Sequence, residues 1–151
     1  MFSPKKEKPD VVTKKTREEL SKSKVQAILR TVSPEKAFYF YEGLRKPTGH
    51  VATSLVDFRN KINSVESESL AFHLKRKDFW NWIKIVIGDS ELATRISNIS
   101  AQAFDFRNRL YTMVSARIKE LSKILSITKM DSEEIAPYPP KITQLKQDTI
   151  R

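Results

Sequence analysis

The chain has no cysteine. Disulfides, thiolate nucleophiles and cysteine-ligated metals are excluded together. Glycine is nearly as scarce, with only Gly43, Gly49 and Gly88. A many-stranded sheet needs many tight turns, and glycine adopts their left-handed conformations at least cost. So little glycine, beside abundant Lys, Glu, Ser and Leu, predicts helices. A long apolar run is also missing. The strongest, near Trp82–Ile87, contains Lys84 and falls well short of the ~20 residues a membrane-spanning helix needs. The first ten residues, MFSPKKEKPD, carry no apolar segment behind their lysines and do not form a secretory signal. These absences fit a cytoplasmic chain with no membrane partner.

What is present is charge, mostly of one sign. The 151 residues carry a net charge of +10. Residues 1–30 contribute +5 and residues 101–126 contribute +3, whereas residues 127–151 sum to zero. A field of this kind attracts phosphate backbones and releases their counterions. Apolar residues make up 39% of the chain and charged residues 30%, which is polar for one globular unit and predicts tails beside a modest core.

Along the chain, Pro4, Pro9 and interspersed charges mark residues 1–15 as a basic, flexible arm. Thr16-Arg-Glu-Glu19 has the form of a capping box and opens a helix to about Thr31. Ser33-Pro34-Glu35 is a second helix-start signal, with proline at the first position. Ala37–Tyr41 is apolar and aromatic, and is either a short buried helix or a short strand. Glu42–His50, with Gly43, Pro47 and Gly49, reads as a loop.

Thr53 or Ser54 caps a helix in which Leu55, Phe58, Ile62 and Val65 share one face. A helix follows over Glu66–Lys75. Asp78 stands where a cap for Phe79–Ile87 would stand, Gly88 closes that helix, and Asp89 caps Ser90–Ile99. The longest helix is expected over Gln102–Leu125. Pro137, Pro139 and Pro140 then rule out helix in a tail assigned to residues 127–151 and expected to be disordered. The predicted fold is all-α: one compact bundle of five or six helices over residues 16–126.

The candidate chemistry concentrates in Ser69–Asp89. Lys75, Arg76 and Lys77 form a basic turn between two helices, suited to phosphate contacts, and Arg45 and Lys46 would add to it if they lay adjacent. A solvated turn is the plainer reading. Phe79, Trp82, Ile83 and Val86 share a face and fit a core. Trp80 and Ile87 fall on a second face with Lys84, where they could meet a base or a protein pocket, or pack beneath the N-terminal helix. Tyr138 in the tail is a further candidate partner contact. His73 and His50 have no ligand partner at metal-binding spacing, and His73 fits a hydrogen-bonded structural histidine. Asp78 fits a helix cap or an ion pair with Arg76 better than a general acid. There is no P-loop, GxGxxG, GxSxG or HExxH motif. No cofactor, metal or small-molecule substrate is indicated, and an enzyme is not expected.

Two stretches carry a family resemblance. Ala37–Tyr41, Pro47-Thr48-Gly49, Ala52–Leu55 and Phe58 form the first. The second is the longer signature Phe72-His73-x-x-Arg76-x-Asp78-Phe79-x-x-Trp82-Ile83, with Gly88-Asp89 and Leu92-Ala93 after it. Over residues 33–126 the chain resembles a small, mostly archaeal domain family of uncharacterised function. Members of that family usually carry glycine between the arginine and the aspartate, where this chain has Lys77. The resemblance implies fold and lineage rather than activity.

The leading expectation is a basic, non-catalytic binding protein that associates with RNA or ribosomal subunits. Lys5, Lys6, Lys8, Lys14 and Lys15 would act as an arm that orders on binding, and Arg45, Lys46 and Lys75–Lys77 would contact phosphates. The alternative is a protein-interaction or regulatory module, potentially a homodimer, acting through Trp80, Ile87 and the tail.

Overall fold

The computed structural model describes residues 21–135, with side chains placed through residue 127. Helix α1 occupies residues 21–28. A single 3-10 turn, Pro34–Lys36, leads into a hairpin of β1 (Phe38–Gly43) and β2 (Lys46–Ala52). Helices α2 (Leu55–Ile62), α3 (Ser67–Arg76) and α4 (Asp78–Asn81) follow. The last continues without a break as a π-helical segment, Trp82–Ile87. Helix α5 (Ser90–Ser97) and the long α6 (Phe106–Ile135) complete the described chain.

The all-α expectation is therefore wrong. The fold mixes helices with a two-stranded antiparallel sheet, paired Phe38 with Ala52 and Tyr39 with Val51. Residues 42–50, expected as a loop, hold the tight turn and most of β2. The reason lies in the alternation Phe38-Tyr39-Phe40-Tyr41. Phe38 and Phe40 are buried and Tyr39 and Tyr41 are exposed, the period-two pattern of a half-buried strand. Two glycines near the turn were too few to suggest a hairpin. The turn instead places Arg45 in the left-handed region, at φ 61°.

The hairpin's inner face meets α2 and the α4–π segment in an aromatic cluster. Phe38 lies 5.0 Å from Phe79 and 5.6 Å from Trp82, ring centre to ring centre. Phe58 lies 5.1 Å from Phe79, edge to face. The Trp82 indole N–H donates to the carbonyl of Lys36 at 2.8 Å, which satisfies its one donor and fixes the chain entering β1. Helix α6 covers α2 and α5 with Leu110, Val114, Ile118 and Leu121, all buried at helical spacing. The helix continues past Leu125 to Ile135, so residues 127–135 of the expected tail are helical.

Several caps fall where sequence placed them. The Ser54 hydroxyl accepts from the N–H of Asp57 at 3.0 Å, and an Asp57 oxygen accepts in return from the N–H of Thr53 at 3.0 Å. Gly88 ends the π segment at φ 92°. Asp89 caps α5 through the N–H of Leu92. Asp89 is only 2% exposed, and its two oxygens also accept from Arg117 Nε at 2.7 Å and its terminal nitrogen at 3.0 Å. This bidentate pair ties α6 to the start of α5. The adjacent carboxylate raises the already high pKa of Arg117 further. No helix among the described residues is long and apolar enough to cross a membrane.

Candidate functional site

A cleft of about 440 Å³ opens between the hairpin and the α3–α4–π segment. Tyr39, Tyr41 and the turn residues Leu44 and Arg45 form one wall. Phe72, Arg76, Asp78 and Asn81 form the opposite one, with Ile85 near them and Trp82 also lining the space.

The polar centre of this cleft explains the spacing of the signature. His73 and Arg76 are three residues apart, on one side of α3. Lys77 then takes the left-handed conformation, φ 67°, and its N–H turns back to the last carbonyls of α3. The reversal returns Asp78 to the helix it has just left. One oxygen, Oδ2, accepts from His73 Nδ1 at 2.8 Å and from Arg76 Nε at 2.9 Å. On the far side of the imidazole, Nε2 accepts the backbone N–H of Tyr41 at 2.8 Å. Nε2 must be unprotonated to accept, so the proton sits on Nδ1. Burial holds the His73 pKa below its ordinary value, the Asp78 carboxylate opposes that shift, and the imidazole is neutral.

The assembly is a linker between α3 and β1 with both ring nitrogens occupied. Asp78 does not cap α4; its carboxylate is spent on His73 and Arg76, and α4 has no side-chain cap. Oδ1 of Asp78 has no hydrogen-bond partner among the described residues.

Of the residues singled out from sequence, Arg45 and Arg76 come together on this cleft. Arg76 is half-exposed, paired with Asp78, and its guanidinium sits 5.2 Å over the Phe72 ring. Arg45, Lys46, Lys75 and Lys77 are exposed and form no ion pair among the described residues. Lys77 faces away from the cleft, where it lines a narrow crevice with Trp80, Ile96 and Ile99.

Trp80 is half-buried against the core, with Lys84 Nζ 4.8 Å from its ring. Ile87, expected on an exposed face with Trp80, is 1% exposed and belongs to the core. The π-helical turn is responsible. It bonds residue i+5 to residue i, as the N–H of Gly88 does to the carbonyl of Ile83 at 2.8 Å, and so rotates the residues beyond Trp82 off the α-helical phase. Ile87 turns inward and Ile85 outward. Arg30 accepts the consequence at the segment's end, donating to the carbonyl of Val86 at 2.7 Å. Lys5, Lys6, Lys8, Lys14, Lys15 and Tyr138 lie outside the described residues. Among the described residues no group of three or more His, Asp or Glu side chains could hold a metal ion.

Sequence reasoning missed Tyr39, Tyr41, Leu44, Asn81 and Ile85 as cleft residues. The Phe-Tyr-Phe-Tyr alternation carried the signal for the tyrosines; nothing local marks the other three.

Fold and cleft together define a small, helix-rich domain in which a β-hairpin closes against a helix–turn–helix to make an aromatic recess. The chain belongs to the family of unknown function DUF5752, whose model matches residues 12–116. No curated protein and no solved structure matches it.

Proposed function

We propose that this is a non-catalytic RNA-binding protein that engages unpaired RNA, free or displayed on a ribosomal subunit, at the hairpin cleft. One observation carries the reading: Arg45 from the hairpin turn and Arg76 from α3 line the same recess as the exposed Tyr39 and Tyr41. Aromatic faces that stack on bases, beside cations that track phosphates, are the working parts of single-strand recognition. Lys46 and Lys75, next in sequence to the two arginines, are further exposed cations, and the N-terminal lysines would add contacts beyond the described residues. Such a protein would work in the cytoplasm.

Binding of short single-stranded RNA across a salt series tests the proposal. Affinity should fall with a logarithmic slope of about −0.7 per phosphate contacted. Salt-independent binding, or none, would remove it. A second reading has its own support. Leu44 and Ile85 are 74% and 68% exposed at the same cleft, and large aliphatic side chains serve a protein partner better than RNA. Sedimentation equilibrium that shows a dimer broken by Leu44→Asp would favour that reading, with a second copy as the partner.

A further inference from the structure

Asp78 presents an unusual acceptor to the cleft. Its Oδ2 is held by two donors, His73 and Arg76, so the carboxylate is fixed in orientation before any ligand arrives. Its Oδ1 is left without a partner among the described residues, and Asp78 lines the recess walled by Tyr39, Tyr41 and Phe72. An ionised carboxylate only accepts hydrogen bonds. Whatever meets Oδ1 must therefore offer N–H or O–H, and a lone pair placed there is repelled. Asn81, one helical turn further on, lines the same space and can accept or donate. Arg45 supplies an unpaired cation on the opposite wall, at the turn of the hairpin. The cleft volume of about 440 Å³ falls within the ~300–1,000 Å³ typical of small-ligand sites and suits one nucleotide.

Resting on the RNA-binding reading, we infer that the cleft is a base-selective pocket that takes a single unstacked guanine, with Asp78 accepting from its Watson–Crick edge and Arg45 contacting its phosphate. The choice of base follows from the edges. Guanine shows two adjacent donors there, N1–H and the N2 amino group. Adenine and cytosine place their one amino donor beside a ring lone pair, and uracil's single N–H lies between two carbonyls. With Oδ2 already occupied, only guanine can bring two adjacent donors, N1–H and the amino group, together onto the one free oxygen, Oδ1, without also bringing a ring lone pair beside it. Stacking on the aromatic wall is indifferent to base identity, so selectivity rests on Asp78.

The test uses the full chain and labelled five-nucleotide RNAs, UUGUU, UUIUU, UUAUU, UUCUU and UUUUU, read by fluorescence anisotropy. UUGUU should bind about tenfold or more tightly than UUUUU, the scale of one good base-edge contact. Inosine, which keeps N1–H and lacks the amino group, should fall between them. Asp78→Asn places an N–H donor where Oδ1 stood, and should erase or invert the order. Circular dichroism establishes that this variant is folded, and the wild-type panel decides the question even where it is not. RNA binding with equal affinity for all five oligonucleotides overturns the guanine pocket and leaves the RNA-binding reading standing. No binding to any of them overturns both.

Discussion

The backbone N–H of Tyr41 donates to Nε2 of His73 across 2.8 Å, so a buried side chain of α3 completes the hydrogen bonding of β1. Through the same ring β1 is coupled to Asp78, because Nδ1 donates to that carboxylate. Two elements far apart in sequence are thus joined by one imidazole that must stay neutral.

That requirement gives a pH dependence. The His73 pKa is lowered in the fold from its ordinary value of 6.5, chiefly by burial. An unfolded histidine takes up a proton as pH falls below that value, whereas the folded one resists. The unfolded state then binds more protons, and folding stability drops with falling pH. The contribution is fully present above pH 6.5 and is lost as pH falls toward the depressed folded value. Urea melts of wild type and His73→Gln should show a stability difference that shrinks across this window. At neutral pH the substitution should cost about 1–3 kcal/mol, since it leaves a buried backbone donor or the Asp78 carboxylate short of a partner. A difference that does not change with pH would show that His73 titrates normally.

Lys77 offers a test of the signature itself. At φ 67° it occupies a conformation that costs an L-residue about 1–2 kcal/mol, part of which glycine returns as unfolded-chain entropy. Lys77→Gly should raise stability by about 0.5–1 kcal/mol in thermal or urea melts. It also removes one exposed cation. If Lys77 contacts a phosphate, the salt slope for RNA binding should become shallower by about one charge. Greater stability with an unchanged salt slope would place Lys77 outside the interface.

Asp89 and Arg117 should behave as one unit. Asp89 is buried, caps α5, and makes a bidentate pair with Arg117. Asp89→Ala should destabilise by about 2–3 kcal/mol, because it removes the cap and leaves a mostly buried guanidinium with only the more exposed Glu120 and Glu91 as partners. Arg117→Ala strands the carboxylate instead. The double variant should cost clearly less than the sum of the two, and additivity in a double-mutant cycle would mean the pair is not coupled.

Much of the fold was readable because its signals are local. Ser54, Gly88 and Asp89 act within one turn of their own positions, and the long C-terminal helix is expected over most of the span that α6 occupies. The parts that were misread depend on partners distant in sequence or on a change of helical winding. A hairpin looks like a loop when Gly43-Leu44-Arg45-Lys46 provides its turn without a glycine at the left-handed position. Ile87 looks exposed unless the π segment is known, and that segment rests on Arg30, more than fifty residues earlier in the chain. Asp78 looks like a cap because Asp before a helix usually is one; the alternative reading, an ion pair with Arg76, is the one that forms. Its actual role needs His73, and His73 in turn needs a strand that the sequence had not settled.

The hairpin tyrosines and Arg45 carry the last prediction. Tyr39 and Tyr41 project from the outer face of β1, and their removal leaves Phe38 and Phe40 in the core. Tyr41→Ala keeps the backbone N–H that His73 accepts, so the His73–Asp78 network persists. Tyr39→Ala loses a 2.7 Å bond from its hydroxyl to the carbonyl of Pro34, an exposed contact of small consequence for stability. Each substitution should weaken single-stranded RNA binding by about 1–3 kcal/mol if the ring stacks on a base. The loss should not depend on salt, because stacking releases no counterions. Arg45→Ala should instead weaken binding most at low salt and flatten the salt dependence. The two classes of variant therefore separate stacking from phosphate contact in one titration series. Full affinity in all three variants would move RNA binding away from the cleft.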